Sequence, residues 1–197
     1  MTRSHASLAA SAAAMLAALW CTGCPQMAIV SGAKLVESAA VDDRTLEEQA
    51  ADLETKTGIE KALLDQDADL AEHVNVDVYL GHVMLTGVVP SWEGRRDAVE
   101  IARGAAPDHE LFDDIEVASG GDVADAASDF ATNKELGLNL LTDEGLASQS
   151  LQHRVVNGTA FIIGEAKSGG LVESARQVAL QTPGVTRVVT HILVEPR

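Results

Sequence analysis

Two stretches of this chain carry the same order of apolar and polar positions. Val74, Val76, Val78 and Leu80 alternate with polar residues, and Val83, Leu85 and Gly87 alternate again after a Gly81-His82 turn. Two alternating runs around a glycine predict a β-hairpin. The pattern returns in Leu151 and Val155, then Ala160 and Ile162, around Asn157-Gly158, a dipeptide suited to the two positive φ angles of a tight hairpin turn. Ser91 and Ser168 follow the hairpins where a helix N-cap is wanted. The spacing predicts helices over about 91–104 and 168–181, with apolar stripes Ala98, Ile101, Ala102 and Ala175, Val178, Ala179. Pro183-Gly184 ends the second helix, and Val188, Thr190, Ile192 and Val194 then share one face of a strong strand. The matching stretch of the first copy, Asp108 to Ala118, is interrupted by Asp113, Asp114 and Glu116, which predicts a short or irregular strand. Upstream, Leu46 to Leu64 is polar and helix-prone, and a first helix is expected over about 55–66.

The two copies are an internal repeat. Residues 57–117 and 134–194 align without a gap at a constant offset of 77. Gly81 falls on Gly158, Gly87 on Gly164, Ala98 on Ala175, Ile115 on Ile192 and Leu63-Leu64 on Leu140-Leu141. Matched glycines and apolar residues between drifted polar ones mean two copies of one small fold. Each copy reads helix–strand–strand–helix–strand. The expected fold class is α+β: two tandem αββαβ domains, each a small three-stranded mixed sheet with two helices on one face. The expected boundaries are 1–23 for a signal segment, 24–54 for a tether, 55–118 for the first domain, 119–129 for a linker that turns helical near Val123–Phe130, and 130–197 for the second domain. Units of this size are marginal alone, so the copies are expected to pack as a pair.

The 197-residue chain has a formal net charge of −16, unevenly spread. Residues 57–118 are net −10, residues 25–56 net −4 and residues 130–197 net 0. The acidic copy is a poor partner for nucleic acid or an anionic bilayer. Its acidity suits either solubility or docking of a basic partner.

Leu8 to Trp20 is an apolar run behind Arg3 and His5, too short to span a bilayer comfortably and suited to a signal peptide. Cys21-Thr22-Gly23-Cys24 follows. It resembles a bacterial lipobox, with small residues before the cysteine that takes the lipid. Cys24 is the expected lipidation site, although Cys21 stands where Leu is usual. An unmodified Cys24 behind an ordinary signal peptide is the alternative. No Asp follows Cys24, as in lipoproteins sent on to the outer membrane. Both cysteines lie in this segment, which leaves the folded part without a disulfide or thiol nucleophile.

The hairpin glycines, the alanine-rich second helix and the final run Gly184-Val185-Thr186-Arg187-Val188-Val189-Thr190-His191-Ile192-Leu193-Val194 resemble the BON domain family. Two such domains behind a lipobox are similar to the dual-BON outer-membrane lipoproteins. The resemblance implies a non-enzymatic periplasmic protein, lipid-anchored at the outer membrane, that binds phospholipid through its second domain and supports envelope integrity. Candidate lipid contacts are Phe130, Lys134 and Lys167, an aromatic with nearby bases. The alternative makes Phe130 a core cap and the lysines solvated surface.

The residues themselves offer little catalytic chemistry. The mature histidines His73, His82, His109, His153 and His191 show no metal-ligand spacing, and His82 is expected exposed on a turn. Asp65, Asp67 and Asp69 begin like a calcium loop, but the sixth position lacks Gly and the twelfth is Val76. A solvated helix end accounts for them better. No nucleophile elbow or phosphate loop is present. No cofactor, metal or nucleic acid is expected. The rival function is a protein-interaction scaffold, tethered only by its lipid, with the acidic first domain as docking surface.

Overall fold

The computed structural model describes residues 43–118 and 126–194. Cys24, the signal segment and most of the tether lie outside these residues. The described part belongs to one compact unit, Val41–Arg197.

The first repeat runs α1 (Leu46–Gln66), α2 (Ala68–His73), β1 (Val74–Tyr79), β2 (His82–Val89), α3 (Trp92–Ala105) and β3 (Glu110–Val117). The second runs α4 (Ala126–Thr142), β4 (Ser150–Val156), β5 (Thr159–Ala166), α5 (Gly169–Gln181) and β6 (Arg187–Val194). In each sheet the first two strands pair antiparallel and the third joins in parallel, in the orders β1-β2-β3 and β4-β5-β6. This is the expected α+β architecture, twice, with the short helix α2 of the first repeat added to the expected αββαβ order.

Helix α1 begins nine residues before the expected 55. A capping box starts it: Thr45 Oγ1 accepts from the Glu48 amide at 3.2 Å, and Glu48 Oε2 accepts from the Thr45 amide at 2.7 Å. Asp67 ends α1 and caps α2, accepting from the Asp69 and Leu70 amides. The Asp-rich stretch is therefore a helix junction. Ser91 caps α3 through the Gly94 amide at 3.1 Å, whereas Ser168 stands at the N-cap of α5 without a side-chain bond.

Strand β3 is not short. It pairs over all eight residues with β2, as β6 does with β5. The acids that argued against it are partnered. Arg95 Nε donates to both oxygens of Asp113, at 3.1 and 3.0 Å, while Asp114 meets His191 and Glu116 meets Arg187.

Each sheet uses its two faces differently. One face packs on the repeat's own helices. Ile59, Leu63, Ala98 and Ala102 meet Val76, Val83, Leu85 and Ile115 in the first core. Leu136, Leu140, Ala175 and Ala179 meet Val155, Ala160, Ile162 and Val188 in the second. The other face of each sheet packs on its counterpart. Tyr79, Met84, Val156, Phe161 and Ile163 form a third buried cluster between the sheets. The copies do pack as a pair, and each gains a second buried face that its size alone would not supply.

The hairpin turns repeat in detail. Leu80 and Gly81 have φ of 45° and 75°, and Asn157 and Gly158 have 48° and 69°. The first turn is thus Leu80-Gly81, and His82 is the first residue of β2, half-buried with Nε2 3.3 Å from Glu110. A leucine in left-handed geometry is unfavourable. Asp52 offsets this by accepting from the Leu80 and Gly81 amides at 2.7 and 2.8 Å. Asp129 does the same for Asn157 and Gly158 at 2.6 and 3.2 Å. Gly87 and Gly164 have φ of 134° and 155°, and a Cβ at either would overlap the carbonyl oxygen of His73 or Ser150.

Candidate functional site

Helix α4 presents the site. Leu136 and Leu140 point into the second core and leave Phe130, Lys134, Leu138 and Leu141 along the opposite, exposed stripe. The spacing i, i+4, i+8, i+11 keeps these four on one side of a helix. Phe130 is 63% exposed, Leu138 61% and Leu141 55%. Phe130 is therefore no core cap. The Lys134 ammonium stands 4.8 Å from the centre of its ring, a cation–π pair at the surface.

Asp129, next to Phe130, fixes the helix on the β4–β5 turn, so the aromatic is held at the hairpin end of the second repeat. A groove of about 340 Å³ opens beside it, between the repeats, lined by Phe130, Asn133, Val88, Glu72 and Arg154 among others. Lys167 is exposed but lies past the far end of β5, where its amide donates to Gln149 Oε1 at 3.0 Å. Seven strand steps separate that end from the Asn157-Gly158 turn, roughly 23 Å. The fold brings Phe130 and Lys134 together and leaves Lys167 apart.

Leu138 and Leu141 are members of the stripe that the sequence reading passed over. Their signal was present: they continue the helical spacing of four, four and three residues from Phe130, out of phase with Leu136 and Leu140.

Beneath α4 lies His153. Its Nε2 donates to the Asn133 carbonyl at 3.1 Å, and Gly137 leaves the space the ring occupies. Burial pushes the imidazole pKa below its ordinary 6.5. Between the sheets, Arg154 Nε and Nη2 donate to Asp77 at 2.6 and 2.8 Å. Burial by itself would raise the Asp77 carboxyl. The hydrogen bonds and charge of Arg154, with Lys56 behind it, outweigh that and hold it below the ordinary 3.8. Arg154 is in turn pushed up by the bond to Asp77.

Among the described residues no three His, Cys, Asp or Glu side chains gather as a metal site, and no helix is long and apolar enough to cross a membrane.

The chain belongs to the BON domain family, whose model matches residues 51–119 and 128–196. It is similar to the outer membrane lipoprotein DolP of Haemophilus influenzae, with 23% identity over 88% of this chain and 89% of that protein. It is also similar to the osmotically-inducible protein Y of Escherichia coli, with 27% identity over 66% of each chain. A 21 kDa hemolysin of Actinobacillus pleuropneumoniae is 28% identical over 77% of this chain and 74% of its own length.

Proposed function

We propose that this chain is a lipid-anchored envelope protein of the periplasmic face of the outer membrane. Cys24 carries the anchor, and α4 of the second domain meets phospholipid. The observation that carries the reading is the exposed stripe Phe130, Lys134, Leu138 and Leu141. An apolar helix face with an aromatic and a lysine suits the boundary between headgroups and acyl chains, where the ring and leucines are buried and the ammonium stays wet. The neutral charge of residues 130–197 lets that face approach a bilayer that the acidic first repeat would avoid. The names of the relatives, an outer membrane lipoprotein among them, support the location.

The test is co-sedimentation of the unit Val41–Arg197, which lacks Cys24, with phosphatidylethanolamine vesicles carrying or lacking phosphatidylglycerol. Binding that falls about tenfold in Phe130→Ala and again in Leu138→Ser is the expected result, since burying one such side chain is worth roughly 1.5–3 kcal/mol. Unchanged binding in both variants, or none at any composition, removes α4 as a lipid contact.

A second reading has its own observation. A groove of about 600 Å³ between α1, α2 and α3 is lined by Asp67, Asp97 and Glu100 around Leu70 and Ile101. Such a groove fits a basic, partly apolar segment of an envelope protein, with the lipid serving only as tether. Charge reversal at Asp97 and Glu100 with loss of a captured partner, and vesicle binding unchanged, would favour it.

A further inference from the structure

Asp77 and Arg154 are separated by 77 positions, the repeat offset, and so are Asp114 and His191, whose Oδ2 and Nε2 are 2.6 Å apart. Equivalent residues of two copies meet only near the rotation axis that relates the copies. The ladders locate that axis. Asp77 faces Met84 across β1 and β2, and Met84 faces Phe112 across β2 and β3. Arg154, Phe161 and Val189 form the same row in the second sheet. Met84, Phe161, Phe112 and Val189 all belong to the cluster between the sheets. Strand β1 lies against β5 and strand β4 against β2, the exchange that a two-fold produces. The interface has the geometry of an isologous homodimer, closed within one chain.

Like meets like in an isologous pair. Two first repeats brought together by these faces would set Asp77 against Asp77 and Asp114 against Asp114. Two second repeats would oppose Arg154 to Arg154 and His191 to His191. Asp77 is only 9% exposed, and like charges pressed together out of water are strongly disfavoured. The observed pairing replaces each clash with an acid–base contact. Off the axis the sign is kept: Glu116, on the first sheet, receives Arg187 from the second.

We propose that the two sheet faces are a charge-coded pairing surface. The first repeat's acidic face takes a repeat of the same fold bearing bases at the Arg154 and His191 positions, and it rejects its own kind. The occupant is the second repeat. The code rests on the sheet faces, not on α4, and therefore stands apart from the lipid reading. It gives part of the chain's lopsided charge a role other than solubility or the docking of a foreign partner: attraction selects the right pairing and repulsion removes the wrong ones.

The test uses the whole chain with a protease site placed between Ala118 and Ala126, cut after folding and followed by native mass spectrometry. The halves of the unsubstituted chain are expected to remain one complex. Separation of these halves, or self-pairing of the first half at a comparable level, overturns the proposal. A second cut chain carries D77R together with R154D. When the two cut chains are mixed to equilibrium, halves bearing D77R should pair with halves bearing R154D. Mixed pairs should be depleted at least about tenfold, the low end of what close charge pairs contribute across an interface. A statistical mixture of the four pairings overturns the code. In the uncut chain D77R alone should lower Tm by about 10 °C, and R154D in the same chain should restore at least half of the loss. A double substitution no better than the single one also overturns it.

Discussion

Leu53 and Phe130 occupy one position in the two repeats. So do Thr57 and Lys134, Lys61 and Leu138, and Leu64 and Leu141. The backbones beneath them match, with Ile59 and Leu63 buried on α1 as Leu136 and Leu140 are on α4. The outward stripes do not. On α1 the leucines are separated by Lys61, which pairs with Asp65, and are flanked by Glu54 and Glu60. On α4 the stripe is apolar apart from one lysine folded over a ring. Duplication kept the residues that hold each sandwich together and released the surface, so one helix face could become acidic and the other greasy. The sheet faces diverged differently. They stay buried against each other, so their changes had to be complementary.

The comparison can be broken most severely at its shared backbone. Gly87→Ala and Gly164→Ala should each cost about 3 kcal/mol or more, because the new Cβ overlaps a carbonyl oxygen at a positive φ. Urea unfolding should show similar losses for the two, and a loss confined to one repeat would break their equivalence. The turn anchors should separate the copies. Asp52 holds the Leu80-Gly81 turn and also pairs with Arg44 at 2.5 Å in a nearly buried setting. Asp52→Ala should therefore cost about 3 kcal/mol, and Asp129→Ala about 1–2 kcal/mol. Leu80→Asn sharpens the same point from the other side. Asn tolerates the left-handed geometry that leucine does not, a gain of about 0.5–1 kcal/mol in the turn, but it gives up the contact of Leu80 with the cluster between the sheets, so the net change in urea unfolding should be smaller than either turn-anchor loss.

Acid should also act differently on the two repeats. His153 stands where the first repeat has the buried Val76. Its pKa is lowered in the folded state, so the unfolded chain binds its proton first as pH falls. The stability tied to neutral His153 is complete above pH 6.5 and is lost as pH drops below it toward the depressed folded value. His153→Val should flatten that part of a stability–pH curve. Asp77 acts lower. Its contribution is present above pH 3.8 and disappears as pH falls through the depressed folded pKa. The smallest expected effect is a transfer of surface: Thr57→Lys with Lys61→Leu on α1 should add weak vesicle binding to the unit Val41–Arg197 without changing its stability by more than about 0.5 kcal/mol.

Much of this architecture was legible without coordinates. The offset of 77 places β2 on β5 and β3 on β6 residue for residue. The alanine stripes, Ser91 and the Asn157-Gly158 turn all stand where the alternation and capping chemistry put them. Two further signals lay unread in the same text. Thr45-x-x-Glu48 is a capping box that starts α1 at Leu46. Asp52 and Asp129 obey the repeat offset upstream of the matched stretch.

The rest depended on partners distant in sequence. Asp113, Asp114 and Glu116 look unfit for a strand as long as they are read as isolated charges, and only tertiary structure brings Arg95, His191 and Arg187 to them. The sequence by itself determined the two αββαβ units, because alternation, helical spacing and turn residues are local consequences of backbone geometry. Which acids are solvated and which are buried against a base, and that two faces close on each other about a two-fold, were decided by the fold alone. Burial and charge pairing depend on what lies across the interface, and no local pattern along the chain encodes that.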